Sequence, residues 1–137
     1  MTVFASPVPT ADQMPYLSSL GDEPARLLKI GSPRWSQLRP TEKILLRESE
    51  ADWQSWVVDA ATHLGWRRFH DFDARRNPAG YPDLMLTRNR IIFAELKTEI
   101  GRLRPAQVEV LDALRKAGGE VHVWRPRHRA EVLEVLR

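Results

Sequence analysis

From Ser49 to Leu64 the apolar residues Trp53, Trp56, Val57, Ala60, Ala61 and Leu64 recur three and four apart, the stripe of an amphipathic helix. Ser49 suits its cap and Gly65 its end, while helical spacing itself begins at Thr41. The period then changes. Trp66-Arg67-Arg68-Phe69-His70 reads as a first strand, followed by a polar loop, Asp71 to Pro78. Leu84-Met85-Leu86 and Ile91 to Lys97 are short apolar, β-branched-rich runs around Thr87-Arg88-Asn89-Arg90, and they predict a hairpin. Pro105 at a first helical position opens a second amphipathic helix with Val108, Leu111 and Leu114 inward and Gln107 on the same face. A strand at Val121–Trp124 and a short helix from Arg129 to Leu136, packing Val132, Leu133, Val135 and Leu136, close the chain.

Side-chain alternation turns the hairpin into a geometric demand. On its second strand Ile91, Phe93, Glu95 and Lys97 share one face, and Ile92, Ala94 and Leu96 share the other. A three-residue loop at Arg88-Asn89-Arg90 pairs Thr87 with Ile91 and sets Asp83 opposite Glu95, with Cβ atoms roughly 5 Å apart. A two-residue loop would send the two acids to opposite faces. The strand, helix, strand order after Ile91 predicts that Ile91–Lys97 and Val121–Trp124 run parallel. The expected architecture is an α/β domain over residues 41–137: a mixed sheet of about four strands flanked by helices, with the polar cluster at one end of the hairpin.

Residues 1–40 break this order, because they hold six of the ten prolines and few sustained apolar patterns. They read as a Pro-rich arm, extended or disordered, before the folded domain. The whole chain has 137 residues, 42% of them hydrophobic, enough for one core, and no apolar run approaches a membrane span. Zero cysteines exclude disulfides and thiolate zinc sites and fit a reducing cytosol. Nothing at the amino terminus has the basic-then-apolar form of a secretory signal. The net charge of +3 is unevenly placed: residues 1–65 carry 6 Lys/Arg against 8 Asp/Glu, whereas 66–137 carry 15 against 10. A basic carboxy-terminal half favours a polyanionic partner, although a solvated basic face would look the same.

Candidate chemistry follows from what phosphodiester cleavage requires, namely carboxylate oxygens for a hard cation and a positive group near the attacking water. Asp83 in Gly80-Tyr81-Pro82-Asp83-Leu84, and Glu95 and Lys97 in Phe93-Ala94-Glu95-Leu96-Lys97, offer these groups, although as isolated residues they also fit ordinary strand-end charges. Glu50 lies at the edge of the first helix's buried stripe, where it could enter a site or serve as a favourable acid in a first turn. Gln107 could bridge Lys97, a water or a phosphate, or cap its own helix. Arg75, Arg76, Arg102 and Arg104 flank the motif and could hold phosphates, the commoner case for surface arginines being no partner at all. His70 reads as a strand-end residue more readily than as a proton carrier.

In combination, the stretch from Gly80 to Pro126 resembles the VRR-NUC domain, the virus-type replication-repair nuclease branch of the PD-(D/E)xK superfamily, over roughly residues 48 to 137. Asp83, Glu95 and Lys97 fall on that superfamily's catalytic positions, Gln107 on the glutamine that marks this branch, and Glu50 on the family's first helix. The resemblance implies a restriction-endonuclease-like fold and a cytoplasmic, bacterial or phage-encoded enzyme of DNA repair or phage replication. It also implies hydrolysis of DNA phosphodiester bonds with Mg²⁺ or Mn²⁺, in a homodimer selective for branched or junction DNA. Metal ligation would fall to Asp83, Glu95 and the Leu96 backbone carbonyl, with Glu50 as an outer-sphere ligand and Lys97 orienting water. No organic cofactor and no membrane enters this picture. The competing expectation is a nucleic-acid-binding module that keeps the basic surface and cleaves little by itself.

Overall fold

The computed structural model describes residues 7–27, 33–69 and 79–137. Its centre is a four-stranded mixed sheet, β1 (Arg67–Arg68), β2 (Leu84–Thr87), β3 (Ile91–Leu96) and β4 (Glu120–Trp124), in that spatial order. β1 with β2 and β2 with β3 are antiparallel, and β3 with β4 is parallel. The parallel pair is joined through α5 (Pro105–Lys116), as the strand, helix, strand order predicted. The first strand is shorter than the sequence pattern suggested, although the Phe69 N–H still donates to the Met85 carbonyl at 3.2 Å.

Thr87 pairs with Ile91 and Leu84 with Ala94, so the hairpin has the three-residue loop that the site required. One face of the sheet carries Leu84, Leu86, Ile92, Ala94, Leu96 and Trp124, all buried in the main core. α4 (Glu50–His63) covers that face with Trp53, Val57 and Ala61, and α6 (Arg129–Leu136) adds Val132 and Leu136. Ser49 caps α4, its hydroxyl accepting the Asp52 N–H at 3.1 Å, and Gly65 follows at φ 84°. Indole N–H groups tie the layers together: Trp53 Nε1 donates to the Trp124 carbonyl at 3.0 Å, and Trp66 Nε1 to the Leu136 carbonyl at 2.9 Å.

On α5 the buried residues are Gln107 and Leu111, while Val108 is exposed. The inward stripe of that helix therefore starts at the glutamine and not at the valine the apolar pattern selected. Among the described residues no helix is long and apolar enough to cross a membrane.

The described part of the amino-terminal region, residues 7–27 and 33–40, differs from the extended or disordered arm its prolines suggested; residues 1–6 and 28–32 of that arm lie outside the described residues. Residues 7–27 include α1 (Pro15–Ser18) and two short 3₁₀ turns, and α2 (Pro33–Ser36) and α3 (Pro40–Arg47) follow. Met14, Leu17 and Ala25 are buried with Leu45 of α3 in a second, smaller core. Polar anchoring explains how so few apolar residues suffice. The buried Glu42 carboxylate accepts the Leu17 N–H at 2.9 Å and the Arg39 N–H at 3.2 Å, and the Ala25 N–H donates to the Glu99 carbonyl at 2.7 Å. Prolines here start helices, at the first positions of α1 and α3, because the missing N–H is not needed there.

Candidate active site

β2 and β3 bring the two acids together. The ladder ends at Leu84 opposite Ala94, and one further step along each strand places Asp83 beside Glu95. Asp83 follows a tight turn in which Gly80 adopts φ 87° and presses on the first turn of α5. A Cβ at Gly80 would stand 2.2 Å from the Ala106 carbonyl oxygen and 2.9 Å from the Gln107 nitrogen. Only glycine fits both the backbone conformation and that approach. The Asp83 residue is exposed, with Oδ2 accepting the Leu96 N–H at 2.8 Å across the hairpin end.

Glu95 lies deeper, only 1% exposed. Its Oε1 accepts a hydrogen bond from Gln107 Nε2 at 2.8 Å, and the Lys97 ammonium stands 3.8 Å from the same oxygen. Gln107 is fixed in turn, its Oε1 accepting the Arg104 N–H at 2.8 Å, so one side chain both closes the start of α5 and orients the acid. The other carboxylate oxygen, Glu95 Oε2, is buried with no hydrogen-bond partner among the described residues. Burial first, and the Asp83 carboxylate beside it second, push the Glu95 carboxyl up to about 8, against the pull of Lys97.

The arrangement thus gathers Asp83, Glu95, Lys97 and Gln107. Glu50 does not join them: it is exposed in the first turn of α4, and no cluster of three acidic or histidine side chains forms among the described residues. Unpaired backbone N–H groups at a helix start favour an acid there without any site, which accounts for its placement. Gln107 meets Glu95 directly and not Lys97. Arg102 and Arg104 are exposed on the loop between Lys97 and α5. His70, Arg75 and Arg76 lie outside the described residues.

A second polar network, beside the first, had no signature in the motif reading. Glu99 is fully buried, its Oε1 accepting the Arg127 N–H at 2.6 Å and its Oε2 accepting Arg127 Nη1 at 2.8 Å. Arg127 Nη2 also donates to the Gly21 and Glu23 carbonyls, at 2.6 and 2.5 Å, tying the amino-terminal segment to the domain. Arg125, equally buried, donates from Nη1 to the carbonyls of Thr98 and Gly101, each at 2.6 Å. The only sequence hint was position: two arginines around Pro126, directly after a strand that ends in a buried tryptophan.

A mixed four-stranded sheet between helices, with two acids and a lysine at the end of its central hairpin, defines a restriction-endonuclease-like α/β domain. The model of the VRR-NUC domain matches residues 25–128, and the chain belongs to that family, so it carries a nuclease-type domain. The match begins well upstream of the helix at which the motif resemblance started, and it takes in part of the docked amino-terminal segment. None of the curated proteins and none of the solved structures compared with the chain matches it.

Proposed function

We propose that the protein is a Mg²⁺- or Mn²⁺-dependent deoxyribonuclease, with Asp83 and Glu95 as the cation's side-chain ligands and Lys97 beside the phosphate under attack. The observation that carries this reading is Glu95 Oε2, a buried carboxylate oxygen that no donor among the described residues meets, next to a second carboxylate. With both acids ionised, leaving such an atom unpaired is costly and the two neighbouring charges raise the cost further. A proton shared with Asp83 relieves it by neutralising Glu95, whereas a hard cation between them relieves it with both acids ionised. Mg²⁺ commonly takes one or two carboxylates and keeps several waters, so this pair, with the Leu96 carbonyl as the proposed backbone ligand, fits it without a third acid. When bound, the cation supplies Lewis-acid stabilisation of the phosphoryl oxygens and a more acidic water.

The chain's own residues divide the remaining work. Gln107 holds Glu95 Oε1 and thereby aims the free oxygen, while the Leu96 N–H holds Asp83 Oδ2 and leaves its other oxygen to ligate. Lys97 orients the attacking water or offsets charge growing on phosphorus, its ammonium already 3.8 Å from the carboxylate. Arg102 and Arg104, exposed on the loop that follows, take the DNA backbone through phosphate contacts that carry no sequence information. Selectivity for branched or junction DNA belongs to a homodimer with two sites at fixed spacing, working in the cytoplasm of a bacterial or phage system. A monomer would nick.

The test is to incubate purified protein with linear single-stranded, nicked, flapped and four-way DNA in Mg²⁺ or Mn²⁺, beside Asp83→Ala and Lys97→Ala, and to measure its mass in solution. Cleavage by the wild type and its loss in both variants is expected. Undiminished cutting by Asp83→Ala defeats the site, and binding without cutting under either metal establishes the nucleic-acid-binding module instead.

A further inference from the structure

Lys97 is the last residue before the loop 98–104, and a lysine at the root of a loop needs something to fix its direction. The end of β4 provides two fixings in consecutive residues. The Trp124 carbonyl accepts the Lys97 N–H at 3.0 Å, and Arg125 grips the loop immediately beyond. Its guanidinium, 2% exposed as a residue, spends its hydrogen bonds on backbone carbonyls: Thr98 and Gly101 at 2.6 Å each from Nη1, and Asp22 at 3.3 Å from Nε. The loop is closed on itself as well, the Gly101 N–H donating to Thr98 Oγ1 at 3.0 Å and to the Thr98 carbonyl at 3.2 Å. The strapped Gly101 then faces the lysine stem, since a Cβ built on it would be 3.5 Å from Lys97 Cδ.

We propose that Arg125 is a positioning residue for Lys97: by tying the Thr98 and Gly101 carbonyls together it holds Gly101 as a wall along the lysine stem and keeps the ammonium aimed at Glu95. This rests on the nuclease reading for its catalytic consequence, though not for the geometry it asserts. The chemistry suits arginine, because one planar guanidinium satisfies several carbonyls in fixed directions, whereas the three donors of a lysine in its place radiate from one freely rotating nitrogen. The Asp22 contact draws in the amino-terminal segment, so residues 21–25 help to seat the group that seats Lys97.

The experiment compares wild type, Arg125→Ala and Gly101→Ala by two readouts. Steady-state cleavage gives kcat and KM for DNA, and NMR relaxation at the Lys97 side chain, with amide exchange along residues 92–101, reports order without any need for cleavage. Arg125→Ala should lower kcat by about 10- to 100-fold, the scale of an ångström-sized misplacement, with KM changed less than about threefold. Lys97 should lose order while the amides of Ile92 to Leu96 stay protected. Gly101→Ala keeps Arg125 and presses a methyl toward Thr98 Oγ1 at 3.0 Å, so a several-fold loss of kcat is expected, and this variant carries the test if Arg125→Ala does not fold. Unchanged Lys97 order in a folded Arg125→Ala, or a loss confined to KM, overturns the proposal. A wild type that cuts no DNA defeats the nuclease reading alone, and the order of Lys97 then still decides the positioning role.

Discussion

Two glutamates four residues apart, Glu95 and Glu99, are equally hidden from solvent and serve opposite ends. Both carboxyls are pushed up, in each case by burial first. Glu99 is answered in full by Arg127, which donates to both of its oxygens, and Arg125 adds its charge nearby. Glu95 is answered by half: Gln107 and Lys97 address one oxygen, the other has no partner among the described residues, and the nearest acid repels it. A buried acid that is fully paired locks a structure, whereas one left short of a partner marks a candidate functional site, here the one proposed to take the cation. The contrast is local, since β3 carries Glu95 and the loop that follows it carries Glu99.

The sharpest way to break the comparison is to delete each acid. Glu95→Ala should reduce cleavage on the order of 10³-fold, the size of loss seen when one group stabilising transition-state charge is removed, with the fold retained. Gel-based cleavage beside circular dichroism measures both, and a variant that still cuts well ends the distinction. Glu99→Ala should instead cost about 3–5 kcal/mol in urea unfolding, because it strands the 4% exposed Arg127 without its counter-ion. A loss below about 1 kcal/mol would show the pair to be dispensable to the fold.

Cations sharpen it next. Mg²⁺ or Mn²⁺ should stabilise the wild type and Glu99→Gln alike, by about 2.7 kcal/mol at a hundred times the dissociation constant, and should leave Glu95→Ala nearly unmoved. Equal thermal shifts in all three would remove Glu95 from the ligand set. In chelator the sign of the pH dependence follows from the raised carboxyl. Between 4.5 and about 8 the folded chain holds a proton on Glu95 that the unfolded chain has released, so its contribution to stability is lost as pH rises through that window. Glu95→Gln, which keeps an acceptor for Gln107, should flatten the decline of Tm with pH. A wild-type slope retained in that variant would place the titrating group elsewhere, with Glu99 the first candidate.

What was legible beforehand was what repeats along the chain. The hairpin register followed from alternation and loop length, and Thr87 pairs with Ile91 as the shared face of Asp83 and Glu95 demanded. The helix from Ser49 and the parallel crossover were equally plain, being written in periods of 3.6 and 2. Gln107 was legible as a position on a buried face, though not as the partner of Glu95. The Glu99 to Arg127 pair was hidden because it joins residues 28 apart with no periodic signal, and its arginine lies between the strand and the helix that the pattern displays. The docking of residues 7–27 was hidden for a related reason, since backbone hydrogen bonds to Glu42, Glu99 and Arg127 replace the apolar stripe that a sequence can display. Glu50 shows the converse, a carboxylate in a suggestive position that local helix physics accounts for.

The smallest effect probes the link between the two states of burial, the amide that partly answers Glu95. Gln107→Leu keeps the bulk of the side chain and removes both of its hydrogen bonds, to the Arg104 N–H and to Glu95 Oε1. The exposed helix start can recruit water for the lost cap, so urea unfolding should show a cost of only about 1 kcal/mol. The acid cannot be compensated so easily, because Oε1 then keeps only the Lys97 ammonium at 3.8 Å and the carboxyl is pushed further up. The midpoint of the pH profile for cleavage should accordingly move to higher pH in this variant, and Gln107→Glu, which keeps the acceptor toward Arg104 but turns a donor into a second acid, should move it further. If Gln107→Leu loses the 1 kcal/mol yet leaves the profile where it was, the glutamine is a helix cap alone and Glu95 is aimed by something else.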